Sequence, residues 1–441
     1  MVDRTSDQFL MDAYEGTGGF ADGSYLIPHP REKDTKFAQR KELATYPNLA
    51  QKMVNIMMGF LWRQSPNREA DGLYAAFQEN ADGANTKLET LLFTYQRLAM
   101  ILGTVYIIVD KEPTQGSTKA TENLPYLVAR LPGQLAAESK RKNGAWTSVT
   151  FSEQEGSEIR YRTYTDKGWK VARDLAGDDI IEQGSYFSDG RSLGRVPVVK
   201  YHIAKPLNPT SSRTVSWFKG LADLNWAIYN RESELTELFR GQTFSLLALP
   251  VSDPAEAERL TDLTVGTENA ISYNPAGGGQ PAYIAPPPDP VQLYMTKIDK
   301  LADMMYKMAN LEFIGSVQPS GEALKYHFDE TNSCLGGMAE MGEAAELDIA
   351  RLVYLWQNKV FKGAISYPKQ FNLTDLAGAI NTALDSISLQ IGPEFNRAIK
   401  KRLAKQILSN DTAPATMTAI DAEIDAQSDG YGNRIQQQAG M

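Results

Sequence analysis

Trp217-Phe218-Lys219-Gly220-Leu221-Ala222-Asp223-Leu224-Asn225-Trp226-Ala227-Ile228 opens the stretch that decides the fold, which runs on to Trp356. In its first helical segment Trp217, Leu221, Leu224, Ile228, Leu235 and Leu238 recur at spacings of 4, 3, 4, 7 and 3 residues. In its last, Leu324, Phe328, Leu335, Met338, Ala345, Ile349, Leu352 and Trp356 keep the same pattern. Apolar stripes this narrow bury themselves against other helices, often those of neighbouring subunits. The order between them reads as helix, compact β-rich insert, helix, Gly/Pro loop and one very long helix. No catalytic constellation interrupts it, which points to an assembly component rather than an enzyme.

The first helix is expected from about Val215 to Arg240, after a linker marked by Pro206 and Pro209. The insert holds strand-like runs at Phe244–Leu249 and Ala270–Tyr273 and a short helix capped by Asp253-Pro254 with Glu256 behind it. Its run Pro275-Ala276-Gly277-Gly278-Gly279 lacks a Gly-Lys-Ser/Thr and a following helix, so it reads as a loop tip rather than a phosphate cradle. The second helix opens at Asp289-Pro290 and carries the stripe Tyr294, Ile298, Leu301, Met305 and Met308. Lys297, Lys300 and Lys307 fall together on one flank of that stripe, and Asp299 and Asp303 on another. A solvated helix with balanced charge and a lysine face lining a channel both fit this pattern. After Ile314-Gly315 and a loop at Ser316–Ser320, the long helix is expected from about Gly321 to Phe361.

Outward from this stretch, residues 1–34 are rich in Gly, Asp and Pro and read as an extended arm. Gly16-Thr17-Gly18-Gly19-Phe20-Ala21 matches a dinucleotide fingerprint by spacing alone, with no strand before it and no helix after. Helical pattern begins near Phe37, Pro47 is expected to open a helix through Trp62, and another helix spans Thr86 to Leu102. Thr104–Asp110 reads as a strand. Strand-like runs follow at Tyr126–Arg130, Trp146–Phe151, Ile159–Thr165, Trp169–Arg173 and Val196–His202, with turn signals at Asn143-Gly144, Asp166-Lys167-Gly168 and Ala176-Gly177-Asp178. A last amphipathic helix follows Pro393, with Phe395, Ile399, Leu403 and Ile407 on one face, and beyond Asn410 a frayed tail is expected.

The composition is that of a folded chain: 441 residues, 42% hydrophobic and 22% charged, enough for two or three domains. The single cysteine, Cys334, excludes an intramolecular disulfide framework and suits a reducing cytoplasm, where it is expected as a packed thiol. No run reaches the about 18 apolar residues of a membrane span. Met1 to Glu15 carries Asp3, Asp7 and Asp12 and no signal-peptide core, so no export signal is expected. A net charge of −9 argues against a protein that clings to nucleic acid by neutralising phosphates. It leaves open one past which DNA slides.

Catalytic and metal chemistry is missing from the pattern. His29, His202 and His327 have no ligand spacing, and one cysteine cannot build a zinc site. The acidic cluster Glu340–Glu346 is expected on the solvated sides of its helix rather than as an acid/base pair. No catalytic residue, metal or cofactor is therefore assigned.

Several short motifs resemble the portal proteins of tailed bacteriophages. They are Tyr46-Pro47-Asn48 with Lys52 through Gly59, Gly194-Arg195-Val196-Pro197-Val198-Val199, and Leu221-Ala222-Asp223-Leu224-Asn225 with Tyr229-Asn230 and Ser233. Ser320-Gly321-Glu322-Ala323-Leu324-Lys325 is similar to the segment where that family's tunnel loop gives way to its long wing helix. The resemblance covers about residues 40 to 410; the compact C-terminal region departs from an extended crown or barrel.

The resemblance implies an α+β subunit with a mixed α/β wing, a two-helix stem, a small clip, a long wing helix and a short C-terminal helical crown. Its expected divisions are an arm at 1–34, a wing at 35–215, stem helices at 216–243 and 289–312, and a clip at 244–288. The tunnel loop falls at 313–322, the long wing helix and crown at 323–410, and a flexible tail at 411–441. About a dozen copies would form a ring at one capsid vertex, assembled in the host cytoplasm with capsid and scaffolding proteins, the channel through which double-stranded DNA is packaged and ejected. The clip would dock the terminase and then the head–tail adaptor. Lys297, Lys300, Lys307, Glu322 and Lys325 are the channel candidates, and Ile314, Gly315, Ser316, Val317, Gln318, Pro319, Ser320 and Gly321 the loop facing DNA. Another virion ring component, an adaptor or tail protein, and a soluble enzyme with an unfamiliar site are the competing readings.

Overall fold

The computed structural model describes residues 2–111, 124–208, 210–243, 246–250, 270–273, 282–284, 289–312, 321–371, 392–408 and 414–426. The chain divides into two compact units, Met1–Phe371 and Asn372–Met441. The expected helix at Asp253, the glycine run at 275–279 and the loop residues 314–320 lie outside the described residues.

The N-terminal segment is not an extended arm. Helix α1, Asp7–Glu15, is capped by Ser6, whose hydroxyl accepts from the Phe9 N–H, and it ends at Gly16 with φ +72°. Phe9, Leu10 and Ala13 lie on one helical face, and they are buried together with Phe20 and Leu26. The glycines that suggested flexibility serve close packing instead. A Cβ on Gly19 would lie 2.3 Å from the Tyr25 ring. The nucleotide-like spacing is thus a helix terminus followed by a packed 3-10 turn at Gly18–Phe20.

Helix α2 spans Asp34–Leu43, and α3, Leu49–Leu61, starts two residues after Pro47 rather than on it. Asn48 caps α3 by accepting from the Gln51 N–H, a geometry its short amide allows and proline cannot supply. Strand β1, Asn67–Glu69, and helix α4, Gly72–Glu79, were not foreseen. Helix α5, Leu88–Leu102, stops at Gly103 (φ +87°), where a Cβ would come within 2.2 Å of the Thr214 carbonyl.

Strand β2, Thr104–Asp110, follows at once and is the centre of the larger unit. It pairs antiparallel with β3, Tyr126–Arg130, and with β9, Val198–His202. Its alternate side chains serve two cores. Val105, Ile107 and Val109 join the helices, while Tyr106 and Ile108 pack with Val149, Phe151 and Tyr164. A strand covered on both faces has no polar side, which is why the run Thr-Val-Tyr-Ile-Ile-Val reads as continuously apolar.

The second layer is an antiparallel meander of β4 (Leu135–Lys140), β5 (Trp146–Glu155), β6 (Glu158–Thr165), β7 (Gly168–Ala172) and β8 (Ile180–Ser185). The three inner strands match the expected ones. The edge strands β4 and β8 lack an alternating apolar pattern, because an edge is largely solvated.

Helix α6, Lys219–Thr243, leads to three short strands, β10 (Leu246–Pro250), β11 (Ala270–Tyr273) and β12 (Ala282–Ile284). β10 is central, parallel to β11 and antiparallel to β12. Helix α7, Asp289–Met308, and α8, Gly321–Trp356, follow. Helix α8 ends five residues before Phe361; Asn358 adopts a positive φ of 54°, which stops it. Strand β13, Ala364–Ser366, closes back on β1. In the smaller unit, α9 (Pro393–Leu408) packs against α10 (Pro414–Ala426), with Lys401 Nζ 2.6 Å from Asp425. The expected frayed tail therefore contains a helix, whose Met417, Ile420 and Ile424 recur at spacings of three and four.

Helix α8 is fixed by a buried charge. Glu340 and Glu343 do reach the surface, near Lys205 at 2.8 Å and Lys369 at 3.7 Å. Glu346 does not: its side chain is 0% exposed. Its carboxylate accepts from Arg68 Nε at 2.6 Å, Arg68 Nη2 at 3.1 Å, the Tyr74 hydroxyl at 2.8 Å and the Tyr367 hydroxyl at 2.7 Å. Burial alone would lower the Arg68 guanidinium, but the hydrogen bond and charge of Glu346 raise it. Burial pushes the Tyr74 and Tyr367 hydroxyls well above their ordinary values, and the neighbouring Glu346 charge adds to this. The cluster ties α8 to β1, α4 and the segment after β13.

Replacing Arg68 by Met strands the carboxylate and is expected to lower the unfolding free energy by about 3–5 kcal/mol. The double variant Arg68→Met/Glu346→Leu should recover most of that loss in chemical denaturation. A second expectation concerns His202, whose Nδ1 lies 2.9 Å from the Thr104 hydroxyl. Burial, aided by the charge of Lys200, pushes its imidazole from 6.5 down to about 4. The unfolded chain takes up this proton first as pH falls, so the stability present above pH 6.5 is lost through that window. The loss is about 2 kcal/mol after solvent screening. His202→Gln should flatten the melting temperature measured between about pH 7 and about pH 4.5.

Candidate functional site

The paired helices α6 and α7 carry the candidate site. They run antiparallel: Gly220 at the start of α6 sits under Met308 at the end of α7, and Tyr294 hydrogen-bonds Glu234. A Cβ on Gly220 would lie 2.6 Å from the Met308 sulfur, so the half-exposed methionine would have to swing aside. Burial, followed by the nearby Glu234 charge, raises the Tyr294 hydroxyl.

Polar side chains bind the root of α6 to the N-terminal segment. Asn225 Oδ1 accepts from the Ala50 N–H at 2.9 Å, and its amide donates to the Pro47 carbonyl at 3.0 Å. Asn230 Oδ1 accepts from the Ile27 N–H at 2.8 Å, and Trp226 Nε1 donates to the Tyr25 carbonyl at 2.8 Å. Ser233 accepts from Arg40 Nη1 at 2.9 Å. Arg40 in turn holds Glu32 through Nε at 2.9 Å and Nη2 at 2.8 Å, and this hydrogen bonding keeps the Glu32 carboxyl below its ordinary value. Two motifs far apart in sequence, Tyr46-Pro47-Asn48 and Asn225 through Ser233, are thereby one contact. The periodicity of α6 gave no sign of it; Asn225, Asn230 and Ser233 stood out only as residues of the short motifs that carry the resemblance.

Most of α7 is exposed along its length. Buried residues on α6 end at Leu235, and on α7 they comprise Leu301 and Met305. Lys297, Lys300 and Lys307 are exposed, as are Asp299 and Asp303, and the three lysines have no ion pair among the described residues. The lysines share their surface with apolar groups: Leu293 is 70% exposed, Met304 49% and Met308 51%. Met308, expected in the core stripe, is instead half-exposed where it overlies Gly220 at the root. Gly321 opens α8, and Glu322 and Lys325 lie in its first turns, with side chains outside the described residues. The structure therefore brings the three α7 lysines onto one helix and leaves the loop candidates undescribed.

An open cavity of about 650 Å³ lies beside the distal part of the pair, with His29, Glu32, Lys36 and Arg40 among its lining from the N-terminal segment and Glu234, Glu237, Pro290 and Tyr294 from the pair. Among the described residues no group of three or more His, Cys, Asp or Glu is placed to hold a metal ion. Cys334 is packed, and burial raises its thiol. Glu346 accepts four donors, which saturates a carboxylate and leaves no lone pair for proton transfer. No helix among the described residues is long and apolar enough to cross a membrane.

No protein-family model matches the chain, and no curated protein matches it. Among solved structures, a chain of the virion of a native gene transfer agent particle is similar at TM-score 0.40 and 10% identity. That likeness covers 95% of this chain and 99% of that one. A chain from the neck of the empty particle, computed with C6 symmetry, is similar at TM-score 0.44 and 10% identity over 87% of this chain and 94% of that one. A chain from the neck of the native particle, computed with C12 symmetry, is similar at TM-score 0.39 and 9% identity over 93% and 98%.

Proposed function

We propose that this chain is the subunit of a portal-type ring at one vertex of a capsid, the channel through which DNA is packaged and ejected. The observation that carries the reading is the α6–α7 pair. Its root is clamped into a mixed α/β body, and one face along the length of α7 presents apolar and cationic side chains together to the surface. An isolated subunit gains nothing from such a surface; a ring buries it. At 25 and 20 residues the helices are about 37 and 30 Å long, enough to form a channel wall.

In this reading 216–243 and 289–312 are the stem, 244–288 the clip that docks terminase and then the adaptor, and 313–322 the tunnel loop. The wing is 35–215 with α8, and the helices after Pro393 are the crown. Lys297, Lys300 and Lys307, with Lys325 and Glu322 beyond the loop, are the charged channel positions. A channel must touch DNA without holding it, because every phosphate neutralised by a cation adds attraction that movement must break. Few cations on a chain of net charge −9 meet that requirement.

Mass photometry of the purified chain should show a particle of about 590 kDa, twelve 48.8 kDa subunits, with a central hole in negative stain. A chain that stays monomeric or dimeric even with capsid and scaffolding protein present overturns the reading. Lys297→Glu with Lys307→Glu should leave the ring intact and lower the packaged DNA per particle several-fold.

A further inference from the structure

The exposed faces of α6 and α7 match each other, though not within one subunit. On α6, Glu232 and Phe239 are seven residues apart, which puts them on one face about 10 Å apart. On α7, Leu293 and Lys300 have the same spacing. Phe239 is 47% exposed and Leu293 70% exposed. Neither Glu232 nor Lys300 has an ion pair among the described residues. The Glu232 carboxyl is half-buried, and burial raises it above its ordinary value, so it lacks only a cation.

The register of the pair decides where these faces point. With Gly220 against Met308 and Glu234 against Tyr294, and about 100° per residue, the two faces fall on roughly opposite sides of the α6–α7 hairpin. They cannot meet in one protomer. Rotation about a ring axis brings α7 of one subunit beside α6 of the next, again antiparallel. A rotation that keeps heights sets Glu232 level with residue 296 and Phe239 with residue 289, and a slip of about 6 Å between tilted neighbouring pairs, four residues of helix rise, sets Lys300 and Leu293 opposite them.

We propose that a second copy of this chain docks its α6 on this α7, with Phe239 of α6 packed on Leu293 and Glu232 paired with Lys300. The inference rests on the ring reading and deepens it, because it names the seam. It also divides the α7 lysines: Lys300 is neutralised by the neighbour, and Lys297 and Lys307 supply the free charge. The contact is heterologous, so it leaves one unsatisfied face at each end of any open arc and is completed only by closure.

The test uses two full-length chains, both with Cys334→Ser, one carrying Phe239→Cys and a small affinity tag, the other Leu293→Cys. Both new cysteines replace exposed side chains, so the fold is not at stake. Co-expressed and oxidised in the assembled state, they should give a tagged–untagged disulfide dimer and neither homodimer. Rings that form without that heterodimer, or with homodimers, overturn the seam while leaving the ring reading intact. Failure of the unsubstituted chain to form rings overturns both. As an independent measure, Lys300→Glu should raise the concentration at which rings dissociate by about tenfold or more. Adding Glu232→Lys should restore it; a double variant no better than the single overturns the pairing.

Discussion

A buried polar atom must find a partner, and on α6 this requirement fixes the geometry of everything beyond it. Asn225, Asn230 and Ser233 sit on the buried face of a helix whose remaining buried contacts, such as those of Leu221, Ala222 and Ile228, are apolar and forgiving. Apolar packing alone would tolerate a slide or rotation at small cost. The three polar groups do not, because each displaced hydrogen bond leaves a donor or acceptor unsatisfied in the interior. Their partners are backbone groups of Ile27, Pro47 and Ala50 and the guanidinium of Arg40. The angle at which α6 leaves the body is therefore set by its root, as a helix pair with so few buried residues of its own requires.

Helix α8 solves a similar problem with a charge. Over 36 residues its stripe contains Gly336, Gly337 and Gly342, which lower helix propensity and offer little to grip. Gly342 is where Tyr201 and Tyr367 approach; a Cβ there would sit 2.9 Å from the Tyr201 hydroxyl. The close passage leaves room for Glu346 one turn later to reach Arg68, Tyr74 and Tyr367. A carboxylate that must find three particular side chains specifies one position for α8. The Trp356 indole then pins its far end to the Val109 carbonyl of β2 at 2.9 Å.

What could be read in the sequence follows the range of the interactions involved. The boundaries of β2 and the core of α5 and α7 are visible because local periodicity alone decides them. The edge strands β4 and β8 are not, since pairing on one side and solvent on the other leave no alternation. Helix α1 was hidden by composition: glycines that fit the close approach of Tyr25 look, in one dimension, like glycines of a flexible arm. Glu346 was hidden by symmetry. Glu340, Glu343 and Glu346 lie three residues apart on one helix, and only Arg68, 278 positions away, distinguishes the buried member. For the site, the lysine flank of α7 was legible; of the apolar residues sharing its surface, Met308 was assigned to the core stripe, and Leu293 and Met304 were left unassigned.

That last misreading bears on how a channel wall can work. Lys300 and Lys307 each have Asp303 within a turn, three residues on and four residues before, whereas Lys297 has only Asp299, two residues away on another side of the helix. A phosphate passing such a surface meets attraction weakened by the neighbouring acid. Duplex phosphates arrive about every 1.7 Å along the axis, whereas cations on a helix are spaced by turns of about 5.4 Å. Contacts made at one height are thus lost while others are gained, and the sum over a ring varies little as the duplex advances. Strong binding would need the opposite design, a dense basic stripe in register with the backbone. In a ring of the proposed kind, the exposed methionines and leucine that would be a liability on a monomer would be buried between subunits, and the few cations left facing the axis would let DNA slide.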